Sequence, residues 1–163
     1  MERLLGGESV TVSGRYVNLT DVTLAWPPEK VPQLLVGATG GPKTLALSGE
    51  LAQGTVLSGG STPDGVRRAI AHIGGASDHE VVVYVICAFG SGGRERALAE
   101  AAASGSESPE DAIAAGTAAE VAAAARRWVA AGATTVVLQP TVDEPDVREF
   151  IRFVAQEVQP LVA

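Results

Sequence analysis

The pattern of apolar and polar positions changes character near residue 30. Before it the runs are short. Val10-Thr11-Val12, the pair Ser13-Gly14 and Arg15-Tyr16-Val17 read as two strands around a tight turn. Asp21-Val22-Thr23-Leu24 adds a further extended piece. Trp26-Pro27-Pro28 then excludes a helix, because proline lacks an N–H and restricts the residue before it.

Beyond residue 30, apolar runs alternate with stretches of helical period. Gln33-Leu34-Leu35-Val36-Gly37 predicts a buried strand, followed by a helix over 42–52 that opens on Pro42 and closes by Gly54. Thr55-Val56-Leu57-Ser58 predicts a second strand. Thr62 caps a helix that begins at Pro63 and runs to Ile73. The nearly continuous β-branched run from Glu80 to Ala88 predicts a strand covered on both faces. A helix over 93–103 follows, then a short one from Ser108-Pro109. Thr117-Ala118-Ala119-Glu120 is a capping box opening a helix that stops at Gly132. Thr134 to Gln139 is the fourth strand. Asp143 or Glu144 opens a last helix, with Val147, Ile151, Val154 and Val158 on its apolar face and Pro160 at its end.

Four strand-then-helix units imply a parallel sheet covered by helices, within a single domain over 1–163: residues 1–30 as a hairpin insertion and 31–163 as four βα units. Ligands on such sheets sit at the carboxyl ends of the strands. Three of those ends are rich in glycine: Ala38-Thr39-Gly40-Gly41, Ser58-Gly59-Gly60-Ser61 and Ala88-Phe89-Gly90-Ser91-Gly92-Gly93. The fourth is Gln139-Pro140-Thr141.

Composition narrows the chemistry. Twelve Lys and Arg against nineteen Asp and Glu give a net charge of −7, so the chain lacks the basic face that nucleic acid requires. No apolar run is long enough to span a membrane, and the start lacks a signal-peptide core, which points to the cytoplasm. One cysteine and two histidines exclude an internal disulfide and leave no ligand set for a structural metal.

The candidate motifs are partial. Gly37-Ala38-Thr39-Gly40-Gly41-Pro42-Lys43-Thr44 misses the phosphate-loop pattern at Pro42, which removes an amide from the cradle. The helix start after Gly40-Gly41 is still a candidate anion site, and the same glycines can serve only to turn the chain. Gly90-Ser91-Gly92-Gly93 opens like a dinucleotide loop, but Glu95 stands where the last glycine belongs. His72 ends a helix and His79 precedes a strand on its amino side, both structural or surface positions. Cys87 reads as an inert buried thiol. Ser58, Ser61, Ser91 and Thr141 place hydroxyls at strand ends with no base to activate them. Glu144, Asp146 and Glu149 form a first-turn acidic cluster. No acid–base pair stands out, so no catalytic residue is assigned.

Taken jointly, several stretches resemble the luciferase-like monooxygenase family. They are Val10 to Tyr16, Asp21 to Leu24, Val31 to Ala38, Gly41-Pro42-Lys43-Thr44-Leu45, Leu47 to Gly54, Ala115 to Val121, Ala131 to Pro140, and Glu157 to Leu161. The likeness is strongest to the branch that uses the deazaflavin coenzyme F-420, including methylenetetrahydromethanopterin reductase-like proteins, with the FMN-using branch next. Gln53 and Ser48 depart from the family's pattern, and the stretch before the capping box is short.

The resemblance implies the C-terminal half of a (β/α)8 TIM barrel, four parallel βα units with an N-terminal β-hairpin insertion. It implies hydride transfer between a bound flavin or deazaflavin and a small organic substrate. Thr39, Gly40 and Gly41 are implied to line the cofactor cleft, and Ser58 and Gly59 to lie near its phosphate or tail. Four units where eight close a barrel imply a homodimer, a separate N-terminal half, or rearrangement into an open doubly wound sheet. The alternatives are a non-catalytic flavin-binding relative and a barrel-completing interaction module.

Overall fold

The computed structural model describes residues 1–38, 41–58, 60–74 and 78–162. The chain forms two compact units, Met1–Leu34 and Leu35–Ala163.

The first unit opens with a helical turn, α1 (Glu2–Leu5), which the sequence reading did not anticipate. Two antiparallel strands follow, β1 (Val10–Ser13) and β2 (Asn18–Val22). Residues 15–17 form the turn and not a strand, so the second strand starts later than its β-branched residues suggest. The cause is local: Gly14 donates to the Val17 carbonyl at 3.0 Å and to Asn18 Oδ1 at 3.2 Å, which closes the loop ahead of Asn18.

The second unit runs β3 (Leu35–Ala38), α2 (Pro42–Leu51), β4 (Gly54–Leu57), α3 (Pro63–Ile73), β5 (Glu80–Ala88), α4 (Gly93–Ala103), a 3-10 turn (Pro109–Asp111), β6 (Ile113–Ala115), α5 (Ala118–Ala130) and β7 (Thr135–Pro140). It closes with α6 (Val147–Phe153), a π turn (Val154–Val158) and α7 (Gln159–Val162). Two of the caps are those the sequence marks, but the last helix opens at Val147 under an Asp146 cap and not at Asp143 or Glu144. Thr62 accepts from Gly65 N, and Thr117 and Glu120 form a reciprocal capping box. Gly74 takes the left-handed conformation (φ 55°) that ends α3.

All strand pairs in this unit are parallel. β4 pairs with Glu80–Val83 of β5, β6 with its last three residues, and β7 with Val82–Cys87. Because β7 overlaps both of the others, it holds one edge of β5 while β4 and β6 share the opposite edge in succession. The main order is therefore β3-β4-β5-β7, sequential, with β6 continuing the β4 side at the carboxyl end. Parallel strands in this order, joined by helices, form an arc like that of a TIM barrel.

Alternation along β5 separates two cores. Val81, Val83, Val85 and Cys87 pack with Leu45 of α2, Val66 and Ala69 of α3, and Val121 and Trp128 of α5. Ile86 and Ala88, on the opposite face, pack with Ala97 and Ala101 of α4. Thus α4 covers the far face only near the carboxyl end, and Tyr84 below it is 37% exposed.

Four readings need correction. β3 is an exposed edge strand and not a buried one: only Ala38 is buried, because no strand covers its outer side among the described residues. The missed strand β6 is three short apolar residues, too brief to announce itself by period. The last helix buries Phe150, Phe153 and Val158, while Val147 and Ile151 stay exposed. The phenyl rings set that rotation, since Phe89 stacks on Phe153 with centroids 4.5 Å apart. Nor does Pro160 end this helix. Its missing donor falls beside a turn already rearranged to wider bonding, Gln159 N to Val154 O.

Candidate functional site

The carboxyl ends of β3 and β4 open into a groove of about 820 Å³. Ala38 and Leu57 form its floor, with Leu45 of α2 beside them. The start of α3 supplies one wall, from Gly60 to Gly65, and the loop Gly105–Ser108 after α4 contributes to the lining. This wall is held by three bonds. Ser61 Oγ donates to the Ser58 carbonyl at 2.9 Å, Gly65 N donates to Thr62 Oγ1 at 3.1 Å, and the Trp128 indole donates to the Ser61 carbonyl at 2.8 Å. Gly60 sits at φ +85°, a conformation that side chains rarely adopt, with open space where a Cβ would stand.

Cations gather in this groove. Arg67 and Arg68 come from α3, Arg127 from α5, and His72 from the last turn of α3. Arg67 pairs with Asp64, and Arg127 with Asp111 at 2.5 Å. Arg68 and His72 have no hydrogen-bond or ion-pair partner among the described residues. Glu107 adds a carboxylate to the lining. A helix N-terminus with an uncommitted arginine one turn in is suited to an anionic group.

Of the five cofactor-lining residues implied by the resemblance, Thr39, Gly40 and Gly59 lie outside the described residues. Gly41 is exposed at the N-cap of α2. Ser58 is exposed and contributes its carbonyl to the Ser61 bond. The sequence reading passed over Arg67, Arg68 and Arg127. The signal for the first two was present: adjacent arginines one turn after a Thr-Pro helix start at a strand end.

A second polar cluster lies at the carboxyl ends of β5 and β7. Arg96 of α4 pairs with Glu144 at 3.1 Å, and the Glu144 side chain is only 2% exposed. Asp143 stands 3.7 Å from the same guanidinium. Glu100 accepts from Val142 N at 2.8 Å, so two side chains of α4 hold the loop after β7. Glu144 is thus a buried partner and not a member of a solvated acidic face. Cys87 beneath it is fully buried, and burial first, with the Glu144 charge second, pushes its thiol up to about 12. It is no nucleophile. Thr141 is buried and its hydroxyl is unpartnered among the described residues.

His79 is structural. Its Nε2 lies 2.8 Å from Thr55 Oγ1, which lies 2.7 Å from Ser48 Oγ, a buried chain at the amino end of the sheet. Among the described residues no cluster of His, Cys, Asp and Glu could hold a metal ion, and no helix is long and apolar enough to cross a membrane.

Three solved structures share this architecture. One is an F-420-dependent secondary alcohol dehydrogenase in complex with an F-420–acetone adduct (18% identity, TM-score 0.78). The second is the coenzyme F-420 dependent tetrahydromethanopterin reductase from Methanopyrus kandleri (21%, 0.75). The third is monooxygenase RslO1 from Streptomyces bottropensis (19%, 0.73). Each match covers 99% of this chain but only 58%, 60% and 58% of the respective relative, so the chain spans about three fifths of their length. At these identities the likeness establishes the fold. No curated protein sequence matches the chain. A family model described as luciferase-like monooxygenase matches residues 1–134. The chain belongs to the luciferase-like monooxygenase family.

Proposed function

We propose that this chain is the C-terminal, coenzyme-binding part of an oxidoreductase that uses a flavin or deazaflavin, coenzyme F-420 in the first place and FMN as the alternative. The observation that carries the reading is the groove at the carboxyl ends of β3 and β4. It joins the N-terminus of an eleven-residue helix to the unpaired Arg68. Both coenzymes carry a phosphate on a flexible tail, and this groove offers the positive end of the α3 dipole and a cation for it.

When bound, the coenzyme supplies a ring that accepts or gives a hydride. The residues here bind and orient it. Trp128 fixes the carbonyl of Ser61, which keeps the glycine-containing loop open toward the groove. Arg68 neutralises the phosphate. α4, anchored through Arg96 and Glu100, roofs the carboxyl end of β5 and keeps water from that face.

Two structural relatives are F-420-dependent, which supports F-420 over FMN. A non-catalytic coenzyme-binding role is the second reading. Fluorescence titration with F-420 and with FMN tests the proposal. Saturable F-420 binding with Kd below roughly 10 μM is expected, weakened about tenfold by Arg68→Ala. Failure of both coenzymes to bind contradicts it.

A further inference from the structure

Helix α4 stands apart from the main core. That core joins buried residues of α2, α3, α5 and the final helical segment, and none of α4. The buried Ala97 and Ala101 of α4 belong to a smaller cluster, with Ile86, Ala88 and Ile113. α4 therefore seats on the sheet mainly through methyl groups, where α5 buries Val121 and Trp128. Elements with few large apolar contacts open at a lower free energy than the core. Polar contacts hold α4 instead. Arg96 pairs with the buried Glu144, and Glu100 accepts from Val142 N. Gly92 (φ 71°) precedes the helix and Gly105 (φ 80°) follows it, both in the left-handed region where a hinge costs glycine little. Beside the latch, Thr141 buries a hydroxyl with no partner among the described residues, a bond that opening gives back to water.

The far end of α4 is tied to the groove. Gly105 N donates to the Ala102 carbonyl at 3.0 Å, and Ser106 N to the Ala101 carbonyl at 3.1 Å, so the loop moves with the helix. That loop, Gly105–Ser108, is part of the groove lining. We propose that α4 and this loop form a lid on the groove. Release of the Arg96 and Glu100 latch lifts Gly105–Ser108 and lets an anionic ligand enter or leave. That the ligand is a coenzyme rests on the function proposed above; the motion does not.

Amide hydrogen exchange, followed by NMR over a urea series, tests the motion on the chain alone. The amides of α4 and of Ser106 are expected to share one opening, with a weaker urea dependence and exchange at least about tenfold faster than those of β5 and α5. Glu100→Ala removes a latch without stranding a charge, and the Val142 amide it frees lies on an exposed residue. It should speed α4 and Ser106 about tenfold, and the core amides by the same factor, because the open and unfolded states both lack the bond. Exchange of α4 only together with the core, Ser106 out of step with α4, or α4 unmoved by Glu100→Ala would each overturn the lid. Stopped-flow mixing with coenzyme F-420 then reads the gate. Association and dissociation should both quicken about tenfold in Glu100→Ala, with Kd within about twofold of wild type. Unchanged rates beside a faster-opening α4 would overturn the gating role. No binding of F-420 at all would contradict the coenzyme assignment, and the exchange result would still decide the lid.

Discussion

The indole Nε1 of Trp128 donates to the carbonyl of Ser61 at 2.8 Å, tying the last full turn of α5 to the loop that leads into α3. The two residues are 67 positions apart, and the ring is fully buried. This bond couples the helix layer to the wall of the groove. Trp128→Phe keeps an aromatic ring and strands a carbonyl, so a loss of about 1–3 kcal/mol in denaturant unfolding is expected. Coenzyme binding should weaken in parallel. An unchanged unfolding midpoint would show that the bond is not made.

Arg68 is an exposed arginine without a partner among the described residues, so its removal should leave stability within about 0.5 kcal/mol. Its effect should appear in the salt dependence of binding. Wild-type affinity is expected to fall as salt rises, and Arg68→Ala to flatten that dependence. An equal dependence in both proteins would place the phosphate elsewhere.

The Arg96–Glu144 pair carries a different risk. Glu144 is almost wholly buried and Arg96 is 22% exposed. Removing one partner of a fully buried pair costs about 3–5 kcal/mol. Partial exposure lowers this, and Arg96→Ala is expected to cost roughly 2–3 kcal/mol. Thermal unfolding measures it, and a neutral result would contradict the buried pairing.

Glu120 accepts from the Thr117 amide at 2.7 Å and from its hydroxyl at 2.8 Å, which together hold its carboxyl below the usual carboxylate range. A carboxylate with a lowered folded pKa contributes stability that is full above the unfolded value and is lost as pH falls through the folded value. Glu120→Gln should therefore narrow its difference from wild type as the solution is acidified below pH 4.5. Thr117→Ala should cost about 1 kcal/mol at neutral pH. A wild-type and Glu120→Gln pair whose difference ignores pH would refute the capping role.

Much of the second unit was legible because its signals are local. Thr62 before Pro63, the Thr117–Glu120 box and the β-branched run from Glu80 to Ala88 each fix an element within a few residues. What escaped depends on distant partners. The exposure of β3 follows from having a neighbour on one side only, and the rotation of α6 from Phe89, far away in the chain. Gly49 shows the same limit. In sequence it is a helix-interior glycine; in the fold a Cβ there would stand 1.9 Å from the Ile73 carbonyl oxygen, so α2 and α3 meet through it. The groove was half legible. Glycines at strand ends pointed to the region, but the arginines that give it charge lie on α3 and α5, and only the fold brings them together.

The most direct test of the central claim is an amide and indole NMR spectrum of labelled protein during titration with coenzyme F-420. The perturbed resonances should be Ser61, Gly65, Arg68 and the indole of Trp128, with the Trp26 indole unmoved. Perturbations confined to other regions, or none at saturating coenzyme, would contradict a coenzyme site in this groove.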